Sequence, residues 1–193
     1  QIDPGQFIEI GTSRNGDDGS TKTIASWCRH LTTVDFDPVN CDFVRAMNLP
    51  NVEVINSTGE DYLYHRIYGR KISFLYLDNF DWDWHPDRTE QFVVDQQARY
   101  KELGLEMNNL NSQRAHLKQA ELALPAMSDK CLVICDDTWY NKWWGHFSGK
   151  CGAVVPFLLN HGFEILYTEE EPEYCEECGE PHDEFGATCG CNM

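Results

Sequence analysis

A chain of 193 residues with a formal charge of −17 is long enough for one large hydrophobic core and too short for two comfortable domains. The charge argues against nucleic acid or an anionic membrane surface as the main partner, because both would repel the chain. No window approaches the ~20 apolar residues of a membrane span, and no charged-then-apolar leader precedes the first predicted strand, so we expect a cytoplasmic protein.

Short apolar runs alternate with helical patterns along the chain. Strands are expected at residues 7–10, 31–37, 51–55, 71–78, 130–136 and 163–167. Helices are expected at residues 21–29, 39–47, 90–103, 113–124 and 147–160, and a helix or turn at residues 59–68. This alternation predicts an α/β fold of three layers, in which helices cover both faces of a mostly parallel sheet.

The interval between the fourth and fifth predicted strands is longer than one crossover helix requires. Residues 79–112 of this interval are therefore expected to form an insertion. Two interpretations of the insertion stay open, namely a lid over a ligand site and a surface crossover without a role.

The stretch from Phe7 to Thr21 is the feature around which the predicted sheet is organised. An apolar run carries Glu9, a glycine-rich segment follows at Gly11, and a Ser/Thr pair then begins a helical pattern. This order is typical of a strand, a tight ligand-binding turn and a helix N-terminus.

Acidic residues stand at the ends of four predicted strands. They are Glu9, Asp35, Asp78 and the pair Asp136 and Asp137. Ligands of open α/β sheets bind beyond the carboxyl ends of the strands, where the strand order reverses. Asp35 lies 24 residues after Gly11, close to the ~20-residue spacing at which an acid meets a ribose hydroxyl. The pattern therefore predicts a ligand that contains a nucleoside.

These residues resemble class I S-adenosylmethionine-dependent methyltransferases, especially the catechol O-methyltransferase-like branch. The matching segments, in family order, are Glu9 to Thr12, Gly19 to Thr21, Val34-Asp35, Thr58 to Leu63, Leu77-Asp78 and Cys135 to Asp137. The resemblance covers roughly residues 7 to 168 and implies a Rossmann-like domain at 1–168 with strand order 3-2-1-4-5-6. It also implies methyl transfer to a hydroxyl, or to an amine, of a small molecule. The family's seventh, antiparallel strand is missing from the pattern.

The resemblance implies roles for individual residues. Glu9 and the turn at Gly11 would hold the amino-acid end of S-adenosylmethionine, Asp35 its ribose, and the segment after the third strand its adenine. The full set implied to bind the donor is Glu9, Gly11, Thr12, Ser13, Asp35, Phe36, Thr58, Gly59, Glu60 and Asp78.

A magnesium ion is also implied by the resemblance. Asp78, Asp136 and Asp137 stand where this branch carries Asp, Asp and Asn as ligands, and such hard oxygen donors suit Mg²⁺. Asp137 replaces the Asn, which puts metal dependence in doubt. The alternative for Asp136 and Asp137 is that they cap the following loop.

Aromatic residues crowd the loops after the fourth and fifth predicted strands. The expected substrate-binding residues are Trp82, Trp84, Trp139, Tyr140 and Trp143. They would form walls for an aromatic or sugar-like acceptor or a cage for a cationic one, and packing of the lid against the sheet is the alternative.

Candidate catalytic residues accompany these aromatic residues. His146 is the candidate general base, with Asp78 and Asp136 as further catalytic candidates and His85 as a second histidine. Lys150 would either contact an anionic acceptor group or lie at a solvated helix start.

Residues 169–193 form an acidic tail that contains four closely spaced cysteines. Cys175, Cys178, Cys189 and Cys191 predict a Zn²⁺ site, because thiolates form the tetrahedral ligand set that zinc prefers. A disordered acidic tail with reactive thiols is the alternative.

Two other functions stay open beside methyl transfer. One is a non-catalytic, nucleoside-binding module of the same fold, and the other is an NAD-dependent oxidoreductase. The segment from Gly11 to Gly16 lacks the middle glycine of the dinucleotide-binding fingerprint, which argues against the oxidoreductase.

Overall fold

The computed structural model of the protein describes residues 5–14, 19–82, 91–142 and 144–170. Five strands in these ranges form a parallel sheet in the order β3-β2-β1-β4-β5. They are β1 (Gln6–Ile10), β2 (Leu31–Asp35), β3 (Val52–Asn56), β4 (Ile72–Leu77) and β5 (Met127–Cys135). The predicted α/β class and the order of the first five strands are confirmed.

Six α-helices accompany the strands in the described ranges. They are α1 (Ser20–Trp27), α2 (Pro38–Ala46), α3 (Gly59–Arg66), α4 (Gln91–Glu102), α5 (Asn109–Ala123) and α6 (Val154–Asn160). Side-chain oxygens of Asp37, Thr58 and Asn108 cap α2, α3 and α5 by accepting from backbone N–H groups. In the part of the chain that the structure describes, no helix has both the length and the apolar character needed to cross a membrane.

The hydrophobic core lies on both faces of the parallel sheet. On one face, Leu75 and Leu77 of β4 pack in a cluster that includes residues of α3, α5 and α6. On the other face, Phe74 packs with Ile24 and Ala25 of α1. Successive β4 residues therefore serve opposite faces, as a strand buried on both sides requires.

Strand β1 lies at the centre of the sheet, between β2 and β4. The backbone N–H of Gly11 donates to Val34, and the N–H of Asp78 donates to Ile10, both at 2.8 Å. The ends of β2 and β4 are thereby held on either side of the β1 end. This is the point at which the strand order reverses, and it positions the candidate site.

The helix predicted at 147–160 is wrong in its first half, and the sixth strand predicted at 163–167 is wrong altogether. Residues 138–149 instead form an antiparallel hairpin of β6 (Thr138–Asn141) and β7 (His146–Gly149), and α6 begins only at Val154. The short strand β8 (Glu169–Glu170) pairs with β6 in parallel. Residues 163–167 form no strand, and Leu166 and Tyr167 are 81% and 82% exposed.

Glycines explain why the hairpin replaces the predicted helix. Gly145 and Gly149 adopt positive φ angles of 65° and 89°, a conformation that ends helices and closes turns. The side chain of Asn141 accepts from the N–H of Trp144 at 2.9 Å, and this contact closes the loop between β6 and β7.

Candidate functional site

Glu9 is fully buried at the end of β1. Its carboxylate accepts hydrogen bonds from the hydroxyls of Ser20, Thr21 and Thr33 at 2.5, 2.7 and 2.6 Å. Burial raises the pKa of Glu9 from 4.5 to about 7, although the three hydroxyls oppose the rise. The side chain thus ties β1, β2 and the start of α1 together inside the protein.

Gly11 begins the turn that follows β1, with a φ angle of +95°. A Cβ atom at this position would overlap the backbone carbonyl of Asp78, so only glycine fits. Beyond it, the N–H of Thr12 donates to Asp35 Oδ2 and the N–H of Ser13 to Thr21 Oγ1, both at 3.1 Å. The turn therefore closes over the carboxyl ends of β2 and β4.

Asp35 stands at the end of β2 and is 4% exposed. Besides Thr12, its carboxylate accepts from the backbone N–H of Asp37 at 2.7 Å and from Asn40 Nδ2 at 3.4 Å. Burial raises the pKa of Asp35, and these hydrogen bonds oppose the rise. The acid predicted to bind ribose is thus oriented by three groups of its own chain.

A crevice of about 30 Å³ lies beside Asp35, between the sheet and α4. Its lining includes Arg14 of the opening turn, Asp81 after β4, and Arg99 and Tyr100 of α4. Small-molecule sites have volumes of roughly 300–1,000 Å³. With α4 in this position, the crevice is therefore too small for a nucleoside.

Aromatic rings fill the space between α4 and the sheet. The ring of Tyr100 lies 5.4 Å from that of Phe36 and 4.9 Å from that of Phe80, both in edge-on contacts. Phe36, which the resemblance assigns to the donor site, therefore contacts α4 in this structure.

Two bidentate ion pairs surround the same crevice. Arg99 of α4 donates to both carboxylate oxygens of Asp37 at 2.6 and 2.7 Å, and Arg14 donates to both oxygens of Asp81 at 2.6 and 3.0 Å. The hydroxyl of Tyr100 accepts from the N–H of Asp81 at 2.8 Å. The contacts of Arg99 and Tyr100 hold α4 against the segments that follow β2 and β4.

The adenine segment predicted after β3 lies at the start of α3. Thr58 caps this helix through the N–H of Asp61 at 3.2 Å, and Glu60 lies in its first turn. Gly59 is buried so closely that a Cβ atom would lie 2.5 Å from Ile10 Cγ2. The segment therefore packs against the end of β1, next to the opening turn.

The three acids predicted to bind Mg²⁺ come together at the ends of β4 and β5. Carboxylate oxygens of Asp78, Asp136 and Asp137 lie within 4.8 Å of one another. Lys150 Nζ, however, lies 2.5 Å from Asp78 Oδ1 and 2.7 Å from Asp137 Oδ2. The lysine side chain is 5% exposed, so its interpretation as a solvated helix start is wrong.

Asp78, Asp136 and Asp137 form an acidic cluster, in which Lys150 and Asp78 affect each other's protonation. Burial alone would lower the pKa of Lys150, but the carboxylates of Asp78 and Asp137 raise it above its ordinary value. Burial raises the pKa of Asp78, and the Lys150 ammonium opposes that rise. Lys150 is therefore charged at neutral pH.

The oxygen donors of the acidic cluster suit a magnesium ion, but Lys150 already lies between two of them. Three carboxylates are suitable ligands for a hard cation. Two of them are already paired with Lys150, and a metal ion on the same oxygens would have to displace the buried ammonium. An unpaired buried lysine is costly, so the residues present do not fit Mg²⁺ with Lys150 in place.

The structure brings together some of the predicted substrate-binding residues. Trp82 and the buried Trp139 meet edge to face, with ring centroids 6.5 Å apart. Tyr140 is instead more exposed and packs against Phe147 of β7. Trp84 and Trp143 lie outside the described residues, as do His85 and the four tail cysteines, Cys175, Cys178, Cys189 and Cys191.

His146 is not brought to the acidic cluster. It is exposed at the start of β7, where its Nδ1 lies 3.3 Å from the carbonyl oxygen of Trp144. Lys150 follows the other end of β7, and the three residue steps from His146 to Gly149 span roughly 10 Å. The catalytic role of His146 stays a prediction.

A row of buried polar residues on α5 was missed by sequence reasoning. The Ser112 hydroxyl donates to the carbonyl of Phe80 at 3.0 Å, and Gln119 Nε2 donates to Asn79 Oδ1 at 3.0 Å. His116 Nδ1 lies 2.8 Å from the carbonyl of Ser112, and burial lowers its pKa to about 4. The three residues recur at helical spacing, a signal present in the sequence. Ser112 and Gln119 hold the segment after β4 in place.

Comparisons with known proteins give the site no independent assignment. No family model matches this chain, and no curated protein and no solved structure matches it significantly. The function therefore has to be inferred from the residues and geometry described above.

Proposed function

We propose that this protein transfers the methyl group of S-adenosylmethionine to a hydroxyl of a small molecule. The observation that carries the proposal is the convergence of Asp35, the Gly11 turn and Asp78 at the point where the strand order reverses. Ligands of open α/β sheets bind at that point. The sequence resemblance described above adds the class of ligand.

The donor would occupy the crevice beside Asp35 once α4 moves aside. Asp35 would accept hydrogen bonds from the ribose hydroxyls, and Thr12 and Ser13 would lie at the amino-acid end. Phe36 and the segment at Gly59 would flank the adenine. Glu9 is fully buried, and hydroxyls of the same chain donate to its carboxylate. Its proposed role is therefore to hold the turn rather than to contact the donor.

The acceptor would lie on the other side of Asp78, near the edge-to-face pair of Trp82 and Trp139. In the reaction, the acceptor oxygen attacks the donor's methyl carbon in line, the carbon–sulfur bond breaks, and a carboxylate takes the hydroxyl proton. Lys150 pairs with Asp78 and Asp137, which leaves Asp136 as the proposed base. Positioning and exclusion of water would supply most of the rate.

Calorimetric titration with S-adenosylmethionine and with NAD tests the donor assignment. We expect S-adenosylmethionine to bind more tightly. In Asp35→Ala, its affinity should fall by on the order of 1–3 kcal/mol because the ribose hydroxyls lose their acceptor. Asp42→Ala is the matched control, since Asp42 is exposed on α2 and pairs only with Arg45 among the contacts described. No heat with S-adenosylmethionine, or tighter binding of NAD, would refute the proposal.

A non-catalytic nucleoside-binding module of the same fold is the second candidate. The observation that favours it is the pairing of Lys150 with Asp78 and Asp137, which occupies two of the three carboxylates available for catalysis. Transfer of a labelled methyl group to any acceptor in a panel of phenols, catechols and sugars would exclude this candidate. Tight donor binding without transfer would favour it.

A further inference from the structure

The acidic cluster at the ends of β4 and β5 already contains a cation. Lys150 Nζ donates to Asp78 at 2.5 Å and to Asp137 at 2.7 Å, and its side chain is 5% exposed. Both carboxylates come from strand ends, whereas the lysine comes from the hairpin that follows β5. The contact therefore joins two sheets of the protein at one ammonium group.

The hairpin fixes the backbone of Lys150 at this place. The N–H of Lys150 donates to the carbonyl of Asp137 at 3.0 Å, and the N–H of Cys151 donates to Thr138 Oγ1 at 3.0 Å. Gly149 has a φ of +89°, and a Cβ atom there would overlap the carbonyl oxygen of Asp137. Only glycine permits this close approach, and it delivers the next residue, the lysine, to the carboxylates.

We propose that Lys150 is the resident cation of the site and that its ammonium takes the place of a divalent metal ion between Asp78 and Asp137. A metal ion on the same oxygens would leave a buried lysine unpaired, which is unfavourable. The chain is accordingly expected to leave Mg²⁺ and Mn²⁺ unbound at this cluster. The inference concerns the resident cation alone and does not depend on the proposed methyl transfer.

Removal of the lysine should convert the acidic cluster into a metal site. The three carboxylates lie within 4.8 Å of one another in the unaltered chain, and Lys150→Ala would leave them without a competing cation. We expect this variant to bind Mn²⁺ at least about tenfold more tightly than the unaltered chain, equivalent to about 1.4 kcal/mol. Lys150→Arg keeps the positive charge and should bind Mn²⁺ as weakly as the unaltered chain.

The measurement is Mn²⁺ binding by electron paramagnetic resonance, with the melting temperature recorded in parallel. Mn²⁺ should raise the melting temperature of Lys150→Ala and leave that of Lys150→Arg unchanged, since only a ligand of the folded state stabilises it. A lysine with a purely packing role would show no such rescue by metal. Asp78→Asn in the Lys150→Ala background should abolish the gain, which assigns the binding to this cluster.

Two results would overturn the proposal. One is Mn²⁺ binding to the unaltered chain that is lost in Asp78→Asn, and the other is a folded Lys150→Ala variant with no gain in binding. If Lys150→Ala does not fold, Lys150→Met keeps the length of the side chain and is judged by the same criteria, and the unaltered chain remains a test by itself. The Mn²⁺ measurements contain neither S-adenosylmethionine nor an acceptor. Their outcome is therefore independent of the calorimetric test of donor binding.

Discussion

At the scale of single residues, Glu9 holds the opening turn in place and makes the stability of the folded chain depend on pH. Three hydroxyls donate to its carboxylate within the protein, yet burial still raises its pKa from 4.5 to about 7. Between these values, the folded chain holds a proton at Glu9 that the unfolded chain releases. The contribution of Glu9 to stability is therefore full below pH 4.5 and is lost as the pH rises through about 7.

Glu9→Gln should remove this part of the pH dependence. We expect the free energy of unfolding to fall by on the order of 3 kcal/mol more in the unaltered chain than in the variant between about pH 4.5 and pH 7.5. Urea unfolding at the two pH values measures the difference. Glu121→Gln changes an exposed acid on α5 and should behave like the unaltered chain. Equal pH dependence in Glu9→Gln would mean that Glu9 is ionised throughout.

At the scale of elements, α4 lines the crevice beside Asp35. The helix is fastened by the pair between Arg99 and Asp37, and the guanidinium holds the pKa of Asp37 below its ordinary value. Tyr100 of the same helix packs on Phe36. A nucleoside can enter only if these contacts open, because the remaining volume is about 30 Å³. The pair of Arg99 with Asp37 and the ring of Tyr100 therefore hold α4 beside the crevice.

Arg99→Gln should loosen α4 without changing the sheet. We expect amide hydrogen exchange in α4 to accelerate several-fold and S-adenosylmethionine to associate faster, because local opening precedes entry. Hydrogen exchange followed by mass spectrometry and stopped-flow binding measure the two effects. Lys101→Gln removes the same charge from an exposed position of the same helix and serves as the control. Unchanged exchange and association in Arg99→Gln would show that the ion pair does not restrain α4.

The elements that sequence reasoning recovered are those whose own residues specify them. Strands β1 to β5 could be predicted because each is a short apolar run bounded by turn residues. The hairpin of β6 and β7 could not, since it is held by the contact of Asn141 with Trp144 and by the close approach of Gly149 to Asp137. Neither contact leaves a periodic signal in the sequence.

The candidate site divides in the same way. The acids at the strand ends could be predicted, because parallel strands bring their carboxyl ends to one edge. The pairing of Lys150 with Asp78 joins residues 72 positions apart, and the pairing of Arg99 with Asp37 joins residues 62 positions apart. Such contacts depend on the tertiary fold, so residue type alone could not identify them.

At the scale of the whole molecule, the net charge of −17 would attract a cationic ligand such as the donor proposed above. The chain carries 32 acidic and 15 basic residues, and three of the bases, Arg14, Arg99 and Lys150, are already paired with acids around the site. Each of these pairs removes one charge of either sign, so the net charge stays at −17. S-adenosylmethionine carries a sulfonium charge that S-adenosylhomocysteine lacks, and a negative protein attracts the cation from a distance.

This difference predicts an effect of salt that the two ligands do not share. Raising the ionic strength from roughly 0.01 M to roughly 0.15 M shortens the Debye length from about 30 Å to about 8 Å. We expect the association rate of S-adenosylmethionine to fall several-fold over this range and that of S-adenosylhomocysteine to change little. Both ligands contain the same adenosine and amino-acid groups, so the comparison isolates the sulfonium charge. Equal salt dependence for the two ligands would show that the net negative charge of the chain does not attract the donor from a distance. Binding of the donor would then depend only on contacts within the crevice.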